Sequence, residues 1–177
     1  MDSWLLEKFS NFDSKVAIIH NEKEFTYREL YQNILDFLNF FRENNINKGE
    51  NVAILGNYSF ENIALFLALK ENENIIVPIT TIKENEIQER LEEGYVDKVI
   101  KIENGLIKIQ KIENKKKHRL IIKLQKYGKS GLILFSSGST GKPKAMIHDL
   151  DKLVESYKNR KEKSINTIIF LSFDHIG

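Results

Sequence analysis

Short apolar runs alternate with amphipathic helical segments along most of this sequence. Strands are predicted at residues 16–20, 24–25, 51–55, 75–77, 98–102 and 106–109. Helices are predicted at 26–44, 60–71 and 84–93. The alternation favours an α/β fold in which helices cover a largely parallel sheet. The last two strands are expected to form a hairpin around Asn104-Gly105.

Local signals support the helices in this scheme. Thr26 and Glu29 form a T-x-x-E capping box, in which each side chain can accept a hydrogen bond from a free backbone N–H of the first turn. Ser59 is a second N-cap candidate, and the helix after it is apolar nearly all round between 63 and 69, which indicates burial. Residues 84–93 are polar, and Ile87 and Leu91 mark their inner face.

Composition excludes several classes of protein. The 177 residues include no cysteine, so disulfides, thiolate metal sites and a cysteine nucleophile are absent. A net charge of +2 is too balanced to indicate a nucleic-acid-binding protein. The N-terminus shows no signal peptide, and the longest apolar run is far shorter than the ~20 residues of a membrane span. We therefore expect a cytoplasmic protein with no membrane span and no nucleic-acid partner.

The most basic stretch lies within residues 111–126. It is predicted to be a solvated connector, spanning about 111–130, that precedes the next strand. The alternative is a patch that binds phosphate or nucleic acid. Aromatic residues that would stack on bases are not interleaved with its lysines, because Tyr127 stands alone.

The most informative segment follows the apolar run at 132–135. It is rich in glycine and hydroxyl residues and ends in lysines, reading Ser136, Ser137, Gly138, Ser139, Thr140, Gly141, Lys142, Pro143 and Lys144. Glycine lets a backbone approach a ligand closely, and consecutive N–H groups then form an anion-binding concavity. This pattern predicts a polyphosphate-binding loop, against the alternative of a surface turn. It is not a Walker P-loop, which needs G-x-x-x-x-G-K-[ST].

Residues 137–144 resemble the signature of the AMP-forming superfamily of acyl-CoA synthetases, luciferases and peptide-synthetase adenylation domains. Three further segments resemble family motifs in the expected order: the helix start at 25–30, the strand–helix–strand unit at 49–78, and the aromatic-and-histidine segment at 170–177. The resemblance implies the α/β, layered sheet-and-helix N-terminal part of an adenylate-forming large domain.

The resemblance also implies an activity. The expected reaction is ATP-dependent activation of a carboxylic acid to its acyl-adenylate, with release of pyrophosphate, followed by thioester formation with coenzyme A or a carrier-protein thiol. Lys144 and Thr140 would be the catalytic residues, and Thr140 would also contact Mg²⁺ on ATP. The loop residues named above, except Pro143, would bind the phosphates. His175 would border the acyl pocket, against the alternative of a hydrogen-bonded histidine that closes a strand end.

Two departures from the family pattern matter. Ala145 replaces a glycine that usually follows the lysine, and the sequence stops at Gly177, inside a motif. Residues 1–177 are therefore expected to be the truncated N-terminal portion of the large domain, without the C-terminal domain. We expect these residues alone to be inactive and to self-associate through apolar surface. The alternative function is a non-catalytic fragment that binds phosphate weakly.

Overall fold

A computed structural model of the chain describes residues 3–113, 117–136, 144–161 and 165–175. These residues form six helices and eight strands. In chain order they are α1 (Trp4–Phe12), β1 (Val16–His20), β2 (Lys23–Thr26), α2 (Tyr27–Glu43), β3 (Asn51–Leu55), α3 (Phe60–Glu71), β4 (Ile75–Ile79), α4 (Glu84–Glu93), β5 (Lys98–Glu103), β6 (Leu106–Lys111), α5 (Arg119–Lys126), β7 (Gly131–Ser136), β8 (Lys144–Asp149) and α6 (Leu150–Glu155).

One mixed sheet organises the fold, with strand order β6-β5-β3-β4-β7-β8. Its four central strands, β5, β3, β4 and β7, run parallel, while β6 and β8 pair antiparallel at the two edges. Strands β1 and β2 form a separate antiparallel ribbon. The predicted α/β architecture with a largely parallel sheet is confirmed.

Two hydrophobic cores lie on opposite faces of this sheet, because successive side chains of a strand point in opposite directions. Val52 and Ile54 of β3 pack on one face with α2 and α3, while Ala53 between them packs on the other face. The second face is covered by Leu91 of α4 and Ile121 of α5. Helices thus cover both sides of a sheet whose central strands are buried.

The predicted local signals are present. The Thr26 hydroxyl accepts from the Glu29 N–H at 3.2 Å, and the Glu29 carboxylate accepts from the Thr26 N–H at 2.7 Å. Ser59 caps α3 by accepting from the Asn62 N–H at 3.1 Å. The β5–β6 hairpin turns through Asn104 and Gly105, which both have positive φ.

Three features differ from the sequence prediction. Helix α1 was not predicted, although its Leu6 is buried against the first core. Strand β4 continues through Pro78 to Ile79; the missing N–H of Pro78 lies beyond the Ile75–Ile76 segment that pairs with β7. The expected basic connector contains α5, whose Ile121 is buried while its lysines remain exposed. An amphipathic helix therefore occupies part of a stretch that charge alone indicated to be solvated.

Candidate active site

The central parallel strands end at one edge of the sheet, which we call the carboxyl edge. Gly56, Asn57 and Tyr58 follow β3, Thr80 follows β4, and Ser136 is the last residue of β7. In open parallel sheets, ligands bind in the crevice outside this edge. The topology therefore brings polar groups from three separate parts of the sequence to the position where a ligand is expected.

The turn after β3 is shaped by Gly56 and Asn62. Gly56 has φ +148°, and a Cβ at this position would lie 2.8 Å from the Asn62 side-chain nitrogen, so only glycine fits without a shift. That nitrogen donates to the Asn57 carbonyl at 2.8 Å. The Asn57 side chain then accepts from the Phe173 N–H at 3.1 Å. The Asn62 side chain thus holds the turn after β3, and Asn57 in that turn bonds a segment that lies 116 residues further along the chain.

Phe173 docks the segment 172–175 on the carboxyl edge. Its ring centroid lies 4.7 Å from that of Tyr58 and 5.4 Å from that of Phe66, both in tilted arrangements. The backbone of 172–175 turns back on itself, since the His175 N–H donates to the Ser172 carbonyl at 3.1 Å. The docked turn places His175 outside the sheet edge.

Asp174 is the charged anchor of the same turn. Its side chain is only 7% exposed and accepts from Arg90 of α4 at 2.8 Å. Burial alone would raise the pKa of Asp174, but hydrogen bonds from Ser172, Thr80 and Arg90, together with the Arg90 charge, outweigh it and lower the pKa below 3.8. Burial, with the Asp174 charge, raises the pKa of the nearby Tyr58 hydroxyl. The carboxylate is therefore ionised at neutral pH.

The base of the predicted phosphate loop lies at the same edge. Ser136 ends β7 and is the direct partner of Lys144, the first residue of β8, so the two flank the start and end of the loop. Lys144 is exposed and lines an open groove of about 660 Å³, whose floor includes Ile133 and Ile147. The other predicted phosphate-binding residues, Ser137, Gly138, Ser139, Thr140, Gly141 and Lys142, lie outside the described residues.

His175 stands beside a second, smaller opening. Its side chain is 59% exposed, with Nε2 3.8 Å from a carboxylate oxygen of Asp174. Together with Tyr58 and residues 168–171 it lines a crevice of about 200 Å³. Most of the lining side chains are apolar, and Tyr58 and His175 supply the polar groups. The structure thus brings His175 and the base of the loop to one edge of the sheet.

Sequence reasoning missed several residues of this site. Asp174 lay within the segment used for the family resemblance but received no role, and Arg90, Asn57 and Thr80 received none either. A signal for Arg90 was available, because it lies three residues after Ile87 and so on the same face of α4.

The described residues contain no group of three or more His, Asp or Glu side chains that could hold a metal ion. Within the same ranges, no helix combines the length and apolar character that crossing a bilayer requires.

Comparison with curated proteins finds distant ligases. The chain is 26% identical over 155 residues to a 2-succinylbenzoate--CoA ligase from Bacillus cytotoxicus, covering 83% of this chain and 32% of the relative. It is 28% identical over 159 residues to a D-alanine--D-alanyl carrier protein ligase from Lacticaseibacillus casei, covering 82% and 31% respectively. The chain therefore spans about a third of the length of the curated relatives that it matches.

Among solved structures, the fold matches an adenylation subdomain. The N-terminal subdomain of NpsA from Klebsiella oxytoca, in complex with 3-hydroxyanthranilyl-AMSN, superposes with a TM-score of 0.61 at 26% identity. The match covers 81% of this chain and 39% of the NpsA chain. The confirmed fold is that of the N-terminal part of an adenylate-forming domain.

The family assignment has independent support from the sequence. The family model described as AMP-binding enzyme matches residues 6–132, which is well over half of the chain. The matched range contains β1 to α5 and the start of β7, and so most of the sheet that builds the carboxyl edge. The chain belongs to the AMP-binding enzyme family.

Proposed function

We propose that this chain is the ATP-handling part of an enzyme that activates a carboxylic acid as its acyl-adenylate. One observation carries the proposal: in a member of the AMP-binding family, the base of a Ser/Gly/Thr/Lys loop and the turn that bears His175 meet at the carboxyl edge of a parallel sheet. A phosphate-binding loop and an acid-binding wall at one edge would bring the two reacting groups together.

The proposed reaction has two steps. A carboxylate oxygen attacks the α-phosphorus of ATP, an acyl–oxygen–phosphorus bond forms, and the bond to the β-phosphate breaks to release pyrophosphate. A thiolate then attacks the acyl carbon, the bond to AMP breaks, and a thioester and AMP are formed. Phosphoryl chemistry of this kind depends on positioning and charge stabilisation more than on a protein nucleophile.

Lys144 and Thr140 have the principal roles in the first step. Lys144 stands exposed at the start of β8, next to the predicted loop. Its ammonium would offset the negative charge that grows on the leaving pyrophosphate, which is an electrostatic contribution to the transition state. The Thr140 hydroxyl and the backbone N–H groups of the loop would hold the phosphates, with Ser136, Ser137, Gly138, Ser139, Gly141 and Lys142 completing the set.

Magnesium would accompany ATP in this scheme. Mg²⁺ commonly keeps few protein ligands and binds through substrate phosphates and water. That preference fits a site whose described residues offer no cluster of carboxylates or histidines. Thr140 is the proposed contribution of this chain to the ion, and the ion supplies charge neutralisation on the phosphates.

The acid would lie against the crevice lined by Tyr58, His175 and residues 168–171. Its apolar side chains suit the body of an organic acid, and Tyr58 and His175 suit polar groups such as the carboxylate. We propose coenzyme A as the acceptor thiol, with a carrier-protein thiol as the alternative. One relative is named as a CoA ligase and the other as a carrier-protein ligase.

The test is acid-dependent exchange of labelled pyrophosphate into ATP by the complete protein. The panel of acids should include 2-succinylbenzoate, D-alanine and 3-hydroxybenzoate, with aliphatic acids of several lengths. We expect exchange with one class of acid, and thioester formation when coenzyme A is added. If none of the tested acids supports exchange while the protein still binds inorganic phosphate, the non-catalytic alternative is favoured. The 177 residues alone serve as a control and are expected to show no exchange.

A further inference from the structure

Arg90 contacts two parts of the carboxyl edge, the end of β7 and the turn 172–175. Its guanidinium donates to the Asp174 carboxylate at 2.8 Å, across a separation of 84 residues. Its Cζ also lies 5.7 Å from the ring centroid of Phe135, within cation–π range. Phe135 directly precedes Ser136, and Asp174 directly precedes His175. One side chain thus contacts the neighbour of the loop base and the neighbour of the candidate acid-site histidine.

The Asp174 end of this contact is enclosed. The carboxylate accepts from Ser172 at 2.8 Å as well as from Arg90, and its side chain is 7% exposed against 21% for Arg90. A carboxylate this buried depends strongly on its charged partner, because removal of the partner leaves an uncompensated charge out of water. The Arg90 contact is therefore worth more than an exposed ion pair of the same length.

The Phe173 half of the turn has separate anchors. Phe173 is held by Asn57 and by the rings of Tyr58 and Phe66, none of which contacts Arg90 in the bonds described above. Loss of Arg90 should therefore leave the turn attached through Phe173 while releasing Asp174. The expected consequence is a shift in position of His175, and not detachment of the segment.

We propose that Arg90 is a positioning residue that holds the turn 172–175, and with it His175, in register with the end of β7. This inference rests on the proposed function, in which the acid lies by His175 and ATP lies by the loop after β7. A misplacement of about 1 Å between reacting groups can reduce a rate by roughly 100-fold. A planar guanidinium suits the role, since it pairs with a carboxylate and stacks on a ring at once.

The first test measures the contact without reference to activity. Hydrogen exchange is followed at the His175 amide of the complete protein, which donates to the Ser172 carbonyl across the turn. Arg90→Leu should accelerate exchange there by roughly 10- to 100-fold, the range expected for loss of a hydrogen bond to a charged group. Arg90→Lys keeps the charge but loses the planar contact with Phe135. Its exchange rate should lie between those of Arg90→Leu and the wild type.

A matched control removes another arginine–carboxylate pair. Arg28 bonds Asp13 at 2.6 and 2.5 Å, but both side chains are well exposed. Arg28→Leu should leave exchange at the His175 amide unchanged. Unchanged exchange in Arg90→Leu, or equal acceleration in both variants, would overturn the proposal, because the first shows no contact and the second shows a general loss of stability.

The second test separates positioning from folding. In pyrophosphate exchange by the complete protein, with the acid that the wild type uses best, Arg90→Leu should raise KM for the acid about 10-fold and lower kcat, while KM for ATP changes less than about 3-fold. A lower kcat with an unchanged KM for the acid would contradict the inference. If the wild type shows no exchange with any acid, the proposed function fails, and the hydrogen-exchange test still decides the Arg90 contact.

Discussion

The two ends of the central strands carry charged and polar groups of very different kinds. At the amino edge, where β3, β4, β5 and β7 begin, side chains bond to one another and to the turns that precede the strands. At the carboxyl edge, they bond to segments that arrive from elsewhere in the chain. Both edges belong to one sheet, so the comparison shows how charges that are all paired differ from charges that are paired beside exposed groups.

At the amino edge, two ion pairs and two asparagines join the strands to the turns before them, beside an open cavity of about 390 Å³ that the paired charges help to line. Lys98 is 8% exposed and donates to Glu50 at 2.6 and 2.8 Å and to the Asn45 carbonyl. Asp97 accepts from Lys117 at 2.6 Å and from the Asn51 N–H at 2.7 Å. Asn51 and Asn74 donate to turn carbonyls. The charges are paired with each other, and this end of the sheet has a structural role.

The carboxyl edge is only partly closed. Asp174 and Arg90 are paired, yet His175, which follows Asp174, and Lys144, the strand partner of Ser136, remain exposed. The buried pair is proposed to hold His175 in place, which is the arrangement expected where a fixed framework presents a group to a ligand. Buried charges thus stabilise the sheet at the amino edge, whereas at the carboxyl edge they are proposed to position His175.

The largest expected effect tests the amino edge. Lys98→Met should destabilise the sheet by about 3 kcal/mol, because it removes one partner of a largely buried ion pair. The measurement is hydrogen exchange of the β5 amides in the complete protein, which reports the local free energy of opening. Lys101→Met is the matched control on the same strand, since Lys101 pairs with Glu103 in an exposed position. Lys101→Met should leave the local free energy of opening of β5 unchanged. Equal destabilisation by both substitutions would contradict the proposed difference between the two edges.

The second prediction tests the chemistry of the carboxyl edge. In the complete protein, Lys144→Ala should slow adenylation by roughly 30- to 150-fold, the equivalent of ~2–3 kcal/mol for a lost charge-assisted contact. The charge on pyrophosphate grows as the bond breaks, so kcat should fall more than KM for the acid rises. Lys142→Ala should have the smaller effect. A larger effect of Lys142→Ala, or a change only in KM for the acid, would contradict the assigned role.

The smallest expected effect concerns pH at the carboxyl edge. The pKa of Asp174 is lowered on folding, so its contribution is complete above about pH 3.8 and is lost as the pH falls toward the folded value. Protection of the 172–175 amides, corrected for intrinsic exchange, should decline as the pH falls below 3.8. Asp174→Asn should show weaker protection at neutral pH and no such decline. Asp13→Asn should behave as the wild type in this segment; a loss of the pH dependence there would show that Asp174 is not its source.

Much of the architecture was predictable because its signals are local. The capping box joins Thr26 and Glu29, the Ser59 cap reaches Asn62, and the hairpin turns at Asn104-Gly105, all within a few residues. Apolar periodicity likewise depends on neighbours along the chain. The sequence does not predict α1, which depends on the packing of Leu6 in the first core. It also ends β4 before Pro78, because it does not show that β7 pairs only with the start of that strand.

For the candidate site, the sequence predicted a phosphate loop and the His175 segment, and the structure places the base of the loop and His175 at one edge. The roles of residues 136–142, Lys144 and His175 stay predictions. What the sequence could not predict is the set of residues that hold these parts together. Nothing in the sequence indicates that Arg90, on a polar helix, pairs with Asp174, because the two residues lie 84 positions apart.

The sequence by itself determined the alternation of strands and helices, the helix caps and the segment rich in phosphate-binding residue types. The tertiary structure decided which equivalent-looking residues became buried. Lys98 and Lys101 lie three residues apart on one strand, yet only Lys98 is enclosed. The physical reason is that the burial of a charge depends on strand order and on the turns that close over a strand end. The contacts that enclose Lys98 join it to residues 48 and 53 positions away, where periodicity along the chain carries no information.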